Sequence, residues 1–261
     1  MSTEPILITS KDNAFLKDLK RLSQENTAYR KQGKVWLEGD HLCRAALTRG
    51  LIPAVGVFSE HFWASGQDQW EKFAIKNVCL SETLLKEISG LESHAPMGFV
   101  LDLPTAPAID PQAPSVILDR VQDAGNVGSI LRSAAAFGFK QIIALKGTAA
   151  LWSPKVLRAG MGAHFGLQLI EGLAPDALAE LSVPILVTSS HQGDLIHQAQ
   201  FPWPCAWAMG HEGQGVGPEL MARASQFVRI AQPGGEESLN VGAAAAICLH
   251  ASSLPRPVLP H

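Results

Sequence analysis

Residues 206–219 of the chain, AWAMGHEGQGVGPE, contain the sequence signals of a strand, a loop and a helix start in one short stretch. The apolar run that begins at Pro204 and ends at Met209 predicts a buried strand. Four glycines follow within positions 210–217 and predict a loop. Pro218 stands at a favourable first helical position, and Glu219 would lie near the positive end of the helix dipole. The stretch therefore predicts a strand, a glycine loop and the start of a helix.

The segment that follows repeats this pattern. Gln226 to Ile230 predicts a strand, residues 231–237 a loop, and Ser238 is a good N-cap for a helix that continues to Ala251. This helix is rich in alanine and apolar nearly all round, so we expect it to be buried rather than amphipathic. Ser238 and Asn240 stand at its N-terminal end, where free backbone N–H groups meet either a ligand or an ordinary turn.

The glycine loop does not match the common phosphate-binding motifs. Residues 213–217 lack the spacing of a dinucleotide fingerprint, and no Lys-Ser or Lys-Thr pair follows at the P-loop position. A nucleotide-dependent oxidoreductase, the residue-based alternative for an α/β chain with glycine loops, is therefore disfavoured. Glycine still lets backbone atoms lie against a flat ligand, and Glu212 would then be a functional carboxylate held in that loop.

A further set of α/β signals precedes this region. They are a strand at Ser115 to Asp119, a helix from Asn126 to about Phe137, a strand at Gln141 to Lys146, a helix capped at Ser153 and a strand at Pro184 to Thr188. Gly128 and Arg132 are four residues apart and share one helix face, so the missing side chain at Gly128 leaves room for a substrate beside Arg132. An ordinary helix would more readily use Ala at such a position.

The N-terminal part also alternates between helices and strands. The predicted elements are a helix from about Asp12 to Gln32, strands at 34–37, 54–58, 77–80 and 97–101, and helices at 40–49 and 81–88. Residues 104–114 contain four prolines in eleven positions and predict a linker. We therefore expect an α/β fold with one domain over residues 1–103, a linker over 104–114 and a second domain over 115–261.

Composition limits the kind of protein. With 261 residues, 46% of them hydrophobic, the chain can bury a sizeable core. It has no apolar run long enough to span a membrane and no signal-peptide pattern at its N-terminus. Its four cysteines are scattered and its histidines show no metal-ligand spacing, so we expect a cytoplasmic protein with reduced thiols and no metal site.

The basic residues are unevenly distributed. Residues 1–50 carry nine Lys and Arg against six Asp and Glu, although the whole chain has a net charge of −3. A basic helix can follow a phosphate backbone, but for the charges alone a solvated helix face is the favoured explanation. The candidate RNA-binding residues are Lys11, Lys17, Lys20, Arg21, Arg30, Lys31 and Lys34, together with Arg132 in the second domain.

Three ordered motifs resemble those of the SpoU (TrmH-like) RNA ribose 2′-O-methyltransferases. They are DAGNVGSILR at 123–132, MGHEG at 209–213 and ESLNV at 237–241. Arg158 to Phe165, RAGMGAHF, resembles the middle segment of that family. Residues 30–60 resemble its ribosomal-protein-like substrate-binding domain. The resemblance therefore extends over most of the chain.

The resemblance implies a SPOUT fold, in which the C-terminal segment forms a deep trefoil knot that binds S-adenosylmethionine, and it implies a homodimer paired through the knotted domain. The positions that match the active site of the family are Asn126, Arg132, Glu212, Ser238 and Asn240. Those that match its cofactor site are Met209, Gly210, Gly213, Ile230, Gln232, Ser238 and Leu239. One departure is visible, because Ala231 and Gln232 stand where the family usually has Pro and Met.

The implied reaction is methylation of a ribose 2′-hydroxyl in structured RNA, either ribosomal or transfer RNA. The N-terminal resemblance favours ribosomal RNA. Arg132 is the family's usual candidate for activating the hydroxyl, but a guanidinium normally stays protonated. We therefore expect Arg132 to orient the hydroxyl and the adjacent phosphate. A non-catalytic RNA-binding protein on the same scaffold is the alternative function.

Overall fold

The structure is a computed structural model of the chain, and it describes residues 4–89, 94–189, 192–234 and 238–254. Glu237, the first residue of the third motif, lies outside the described residues. The chain folds as two units. One comprises Met1–Thr105 and Trp152–Phe165, and the other comprises Ala106–Leu151 and Gly166–His261.

The N-terminal stretch forms five strands and five helices within the described residues. In chain order these are β1 (Ile6–Ile8), α1 (Ala14–Gln24), α2 (Ala28–Gln32), β2 (Lys34–Glu38), α3 (Asp40–Thr48), β3 (Val55–Ser59), α4 (Glu60–Trp70), β4 (Lys76–Leu80), α5 (Glu82–Ile88) and β5 (Met97–Asp102). The strands form one mixed sheet in the order β1-β4-β3-β5-β2. β1, β4 and β3 are parallel, whereas β5 is antiparallel to both β3 and β2.

The predicted helix from Asp12 to Gln32 is wrong in its extent. α1 begins after Asn13, whose side-chain oxygen accepts a hydrogen bond from the backbone N–H of Phe15 at 2.8 Å. It ends at Glu25, where the backbone is extended (φ −97°, ψ 124°), and α2 is a separate short helix. The sequence did not predict β1 or α4. β1 has only three residues, too few for a periodic signal, and α4 has a weak apolar face.

The remaining elements belong to the second unit, except α7, which groups with the first unit. In chain order they are β6 (Ser115–Leu118), α6 (Ala124–Ala136), β7 (Gln141–Leu145), α7 (Pro154–Gly160), β8 (Gln168–Leu173), β9 (Ile185–Thr188), β10 (Asp194–Leu195), β11 (Ala206–Met209), α8 (Pro218–Ala222), β12 (Gln226–Arg229) and α9 (Val241–Ser253). Short 3-10 turns occur at Ala163–Gly166 and Pro175–Glu180.

The second sheet has seven parallel strands in the order β10-β12-β9-β11-β6-β7-β8. Every residue of β6, β7 and β11 is buried, as expected for central strands that are covered on both faces. The core includes Ile117, Ile143 and Ala208, and Ile109 from the proline-rich segment packs into it. β6, β9 and β11 are neighbours, so the loops at their carboxyl ends meet at one edge of the sheet.

Two helices begin at residues other than those predicted. α6 begins at Ala124 rather than at Asn126, because Asp123 is the N-cap and accepts a hydrogen bond from the backbone N–H of Asn126 at 2.8 Å. α9 begins after Asn240 rather than at Ser238. The side-chain oxygen of Asn240 accepts hydrogen bonds from the backbone N–H groups of Gly242 at 2.9 Å and Ala243 at 3.2 Å. Both caps are the residues whose side chains reach the free amides of the first turn.

The predicted burial of α9 on all sides is also wrong. Gly242, Ala245 and Leu249 are buried, but Ile247 on another side of the helix is 40% exposed. α9 packs against α6 and β11. Among the described residues, no helix is both long enough and apolar enough to cross a bilayer.

The contact between β11 and α9 includes a buried polar pair, which leads to a stability prediction. The indole N–H of Trp207 donates to the hydroxyl of Ser252 at 3.1 Å, and both residues are buried. We expect Ser252→Ala to lower the free energy of unfolding by about 1–3 kcal/mol, because it leaves a buried donor unpaired. Urea denaturation measures this change.

Ser253→Ala is the matched control. The Ser253 hydroxyl donates to the carbonyl of His250 at 2.8 Å, on an exposed side of the same helix. Its removal should change the free energy of unfolding by no more than about 0.5 kcal/mol. Equal losses in the two variants would show that the Trp207–Ser252 bond contributes nothing specific.

Candidate active site

A cleft of about 700 Å³ lies where the segments after β9, β11 and β12 meet the start of α9. Its volume falls within the usual range for small-molecule sites. It is lined by Thr188, Ser189, Gly210, His211, Glu212, Gly213, Gln214, Gly215, Val216, Met221, Ile230, Gln232, Ser238, Leu239, Asn240, Val241 and Ala244. Within the described residues, no three His, Cys, Asp or Glu side chains gather as a metal-binding group.

Most of the predicted active-site and cofactor residues line this cleft. Those that do are Gly210, Glu212, Gly213, Ile230, Gln232, Ser238, Leu239 and Asn240. Met209 is 1% exposed at the end of β11, and Met209, Asn126 and Arg132 are not among the lining residues. Segments that are distant in sequence therefore converge on one cavity.

A chain of side-chain hydrogen bonds joins the three motifs. The amide nitrogen of Asn126 donates to Glu212 Oε1 at 3.1 Å, and the amide nitrogen of Asn240 donates to Asn126 Oδ1 at 2.8 Å. Asn240 Oδ1 caps α9, as described above. Asn126 is thus the central member of the chain, and it fixes the glycine loop and the start of α9 relative to α6.

Glu212 also binds the backbone at the start of α6. Its two carboxylate oxygens accept from the N–H groups of Gln122 at 3.2 Å and Asp123 at 3.1 Å. Partial desolvation raises the pKa of Glu212, but the hydrogen bonds from Asn126 and from the backbone N–H groups outweigh it and bring the pKa below its ordinary value. Glu212 is therefore ionised at neutral pH, and it serves as a fixed acceptor rather than as a proton donor.

The glycine loop closes on itself through backbone hydrogen bonds. His211 and Gly215 exchange N–H to carbonyl bonds of 3.0 and 2.8 Å. His211 Nδ1 accepts from the N–H groups of Gly213 at 3.0 Å and Gln214 at 3.3 Å. A methyl group at Gly210 would overlap the backbone of Gly215 and Val216, so this position requires glycine. The loop thus presents backbone atoms to the cleft at close range.

Arg132 lies apart from this network. It is exposed on α6, and its side chain has no hydrogen bond or ion pair with any residue that the structure describes. Gly128 is buried, and the predicted space for a substrate between the two residues stays a prediction. The free guanidinium is available to a ligand outside the chain.

The predicted RNA-binding residues of the N-terminal region are partly neutralised. Lys17 pairs with Asp12 at 3.3 Å, Arg21 with Asp18 at 3.5 Å and Lys34 with Asp102 at 2.7 Å. Arg30 lies over the ring of Tyr29 at 5.4 Å. Exposed pairs of this kind are weak, at about 0–1 kcal/mol, so phosphate groups can compete for these cations.

The sequence reading missed several lining residues. Thr188 is the last residue of β9 and Ser189 follows it at the same sheet edge, and Gln214, Met221, Val241 and Ala244 complete the walls. The rule that ligands bind at the carboxyl ends of parallel strands was the available signal for Thr188 and Ser189. This rule can be applied only when the strand order is known. The strand order depends on contacts between distant segments of the chain.

Comparison with known proteins agrees with the motifs. The model of the SpoU rRNA Methylase family matches residues 113–250. Over 249 residues, the chain is 28% identical to the 23S rRNA (guanosine(2553)-2′-O)-methyltransferase RlmP of Bacillus subtilis strain 168. The alignment covers 93% of this chain and 97% of the relative.

Solved structures are similar over nearly the whole chain. An AdoMet-bound rRNA methyltransferase from Sinorhizobium meliloti is 25% identical with a TM-score of 0.83, covering 97% of this chain and 98% of that one. An RNA 2′-O ribose methyltransferase is 27% identical with a TM-score of 0.77, covering 96% of this chain and 98% of that one. Because the family model matches more than half of the residues and the motifs converge on one cleft, this chain belongs to the SpoU rRNA methylase family.

Proposed function

We propose that this chain transfers the methyl group of S-adenosylmethionine to a ribose 2′-hydroxyl of ribosomal RNA. The observation that carries the proposal is the hydrogen-bonded chain Glu212–Asn126–Asn240, which joins the three family motifs beside one cleft. The similarity to RlmP and to the AdoMet-bound enzyme supports the same reaction and the same cofactor. Ribosomal RNA is favoured over transfer RNA by the name of that relative.

The cleft fits S-adenosylmethionine in size and chemistry. Ile230, Leu239 and Val241 offer apolar contact for a flat base, and the glycine loop offers backbone donors and acceptors. Gln232 Oε1 is buried and accepts no hydrogen bond from any described residue. A ligand N–H or O–H group would satisfy this atom, so the replacement of the usual Met is compatible with cofactor binding. When bound, the cofactor supplies a methyl group that its sulfonium already activates.

The residues of the chain then have to place the hydroxyl and manage its proton. Holding two reactants in line can contribute as much as about 7–11 kcal/mol to catalysis. The Glu212 carboxylate is occupied by three hydrogen-bond donors and holds the glycine loop in place. The exposed guanidinium of Arg132 has no partner among the described residues, so we assign it the orientation of the hydroxyl and the adjacent phosphate. Ser238 and Asn240 position the start of α9 at the cleft.

A non-catalytic RNA-binding protein is the alternative. Loss of catalysis would leave the active-site positions free to change, yet Asn126, Arg132, Glu212, Ser238 and Asn240 all match the family motifs. The three amide and carboxylate members are also joined by hydrogen bonds. This arrangement favours a working enzyme.

The N-terminal region is the proposed RNA substrate-binding domain, over residues 1–103, and the methyltransferase domain covers residues 115–261. The exposed cations of α1 and α2 support the first assignment. A deep trefoil knot in the second domain is part of the proposal, and the match to the SpoU rRNA Methylase family supports it. A cytoplasmic location stays a prediction.

The first test concerns the cofactor. We expect the protein to bind S-adenosylmethionine and S-adenosylhomocysteine and not NAD, because the cleft is built by the family motifs and the chain has no dinucleotide fingerprint. Isothermal calorimetry with each compound measures this. Binding of NAD without binding of S-adenosylhomocysteine would refute the proposed function.

The second test concerns the reaction and Arg132. The wild-type chain should transfer labelled methyl groups to ribosomal RNA and yield 2′-O-methylated nucleosides. Arg132→Ala should lower the single-turnover rate by about a hundredfold or more, the scale of a lost transition-state contact. Arg132→Lys keeps the charge and loses the planar fork, so a loss nearly as large would assign the effect to geometry.

Lys140→Ala is the control for that experiment, since Lys140 is an exposed cation between α6 and β7. It should leave the rate unchanged. Cofactor affinity should be the same in all three variants. A folded Arg132→Ala protein with a near-normal rate would remove Arg132 from the active site.

We also propose a homodimer. Its support is the apolar exposed side of α9, where Ile247 is 40% exposed, and the neighbouring Leu254, which is 66% exposed. Light scattering should give twice the chain mass of 27.9 kDa, and Ile247→Glu should yield single chains because a charge would be buried. A wild-type mass of one chain at micromolar concentration would contradict the proposal.

A further inference from the structure

Asp119 and Arg120 lie directly after β6 and contact the far end of the glycine loop. Asp119 is 5% exposed. Its Oδ2 accepts a hydrogen bond from the backbone N–H of Gly217 at 2.6 Å. Its oxygens also accept from Arg120, Oδ1 from Nε at 2.9 Å and Oδ2 from Nη2 at 3.3 Å. A buried carboxylate therefore holds one end of a loop that has few side chains of its own.

Arg120 holds the same loop at a second point. Its Nη1 donates to Gln214 Oε1 at 3.0 Å. The pair thus binds the loop at Gln214 and at Gly217, on either side of Gly215 and Val216, which line the cleft. Glu212 connects the first half of the loop to the start of α6. Asp119 and Arg120 connect the second half to the end of β6.

The backbone of Arg120 is constrained to make these contacts. Its φ of 60° is in the left-handed region, which is unfavourable for a residue with a side chain. Its N–H donates to Thr148 Oγ1 at 3.1 Å, and the Thr148 hydroxyl donates to the carbonyl of Leu118 at 2.9 Å. A Cβ atom at Gly147 would lie 3.1 Å from Arg120 Cγ. Such strained residues persist where the surroundings fix them, and they cluster at functional sites.

We propose that Asp119 and Arg120 are positioning residues that fix residues 214–217 in the conformation that receives S-adenosylmethionine. The identity of the ligand in this inference rests on the proposed function. The inference that the pair holds the loop rests on the hydrogen bonds alone. A loop with three glycines between 213 and 217 has many accessible backbone conformations when it is not held. The apparent dissociation constant of a ligand rises as the competent fraction of the loop falls.

Arg120→Gly is the sharpest variant for testing this role. Glycine adopts a φ of 60° without strain, so the substitution removes the guanidinium while relieving the backbone. Asp119→Asn removes the charge in an almost identical shape. Asp176→Asn is the matched control, because Asp176 pairs with Arg223 at 3.6 Å on the surface of the same unit and its side chain is 96% exposed.

The measurements are cofactor affinity, turnover and local hydrogen exchange. We expect Arg120→Gly and Asp119→Asn to raise the dissociation constant of S-adenosylhomocysteine about tenfold, as when the competent fraction of the loop falls to about a tenth. Turnover at saturating cofactor should stay within about threefold of wild type, since the bound loop is the same. Amides of residues 213–217 should exchange faster in the free variants, and ligand binding should restore their protection. Asp176→Asn should match wild type in every respect.

Wild-type affinity together with wild-type exchange in Arg120→Gly would overturn the proposal. Faster exchange throughout the second unit, with a matching fall in melting temperature, would also overturn it, since the pair would then be a general stabilising contact. If wild-type protein does not bind S-adenosylhomocysteine, the proposed function fails. The exchange of residues 213–217 still decides whether Asp119 and Arg120 hold the loop.

Discussion

The glycine loop between β11 and α8 depends on groups outside itself as well as on its own hydrogen bonds. Its glycines allow close approach to a ligand, and the same property leaves the loop with few side chains that fix its shape. The second sheet meets this requirement because β6 and β11 are adjacent and parallel, so the residues after β6 lie beside the loop after β11. As a result, the loop is held on one side by Glu212 and Asn126 and on the other by Asp119 and Arg120. The rest of the site is arranged around this constraint.

The electrostatics of the site follow from the same arrangement. Glu212 lies at the N-terminus of α6, where free N–H groups and the helix dipole favour a negative charge. The carboxylate of Glu212 is therefore an anchor for the loop, and its pKa is lowered. We propose that Arg132, whose side chain binds no described residue, acts on the substrate. In this proposal the residues that build the pocket are distinct from those that contact the RNA.

The sequence predicted the elements that have strong local signals. Apolar runs such as Ile142 to Leu145 and Ala206 to Met209 became central strands, because burial on both faces requires such runs. Caps were less predictable, since Ser238 and Asn240 are both good candidates and only the fold decides which side chain reaches the first turn. The contact of Asp119 and the left-handed backbone of Arg120 have no local signal. The first depends on a loop 98 residues away, and the second is held by Thr148, 28 residues away. The exposed side of α9 was mispredicted because an apolar composition does not reveal which neighbours are present.

The bond between Asn126 and Asn240 joins residues 114 positions apart in the sequence. Closing so large a loop costs entropy before any favourable contact is made, so domains built on such pairs fold slowly. The cleft does not exist in any folding intermediate that lacks α9, and a ligand that needs the cleft can stabilise only the completed unit. The nascent chain is therefore unable to bind its cofactor until α9 has been synthesised and packed. Synthesis of this protein and the onset of its activity are separated by a folding step.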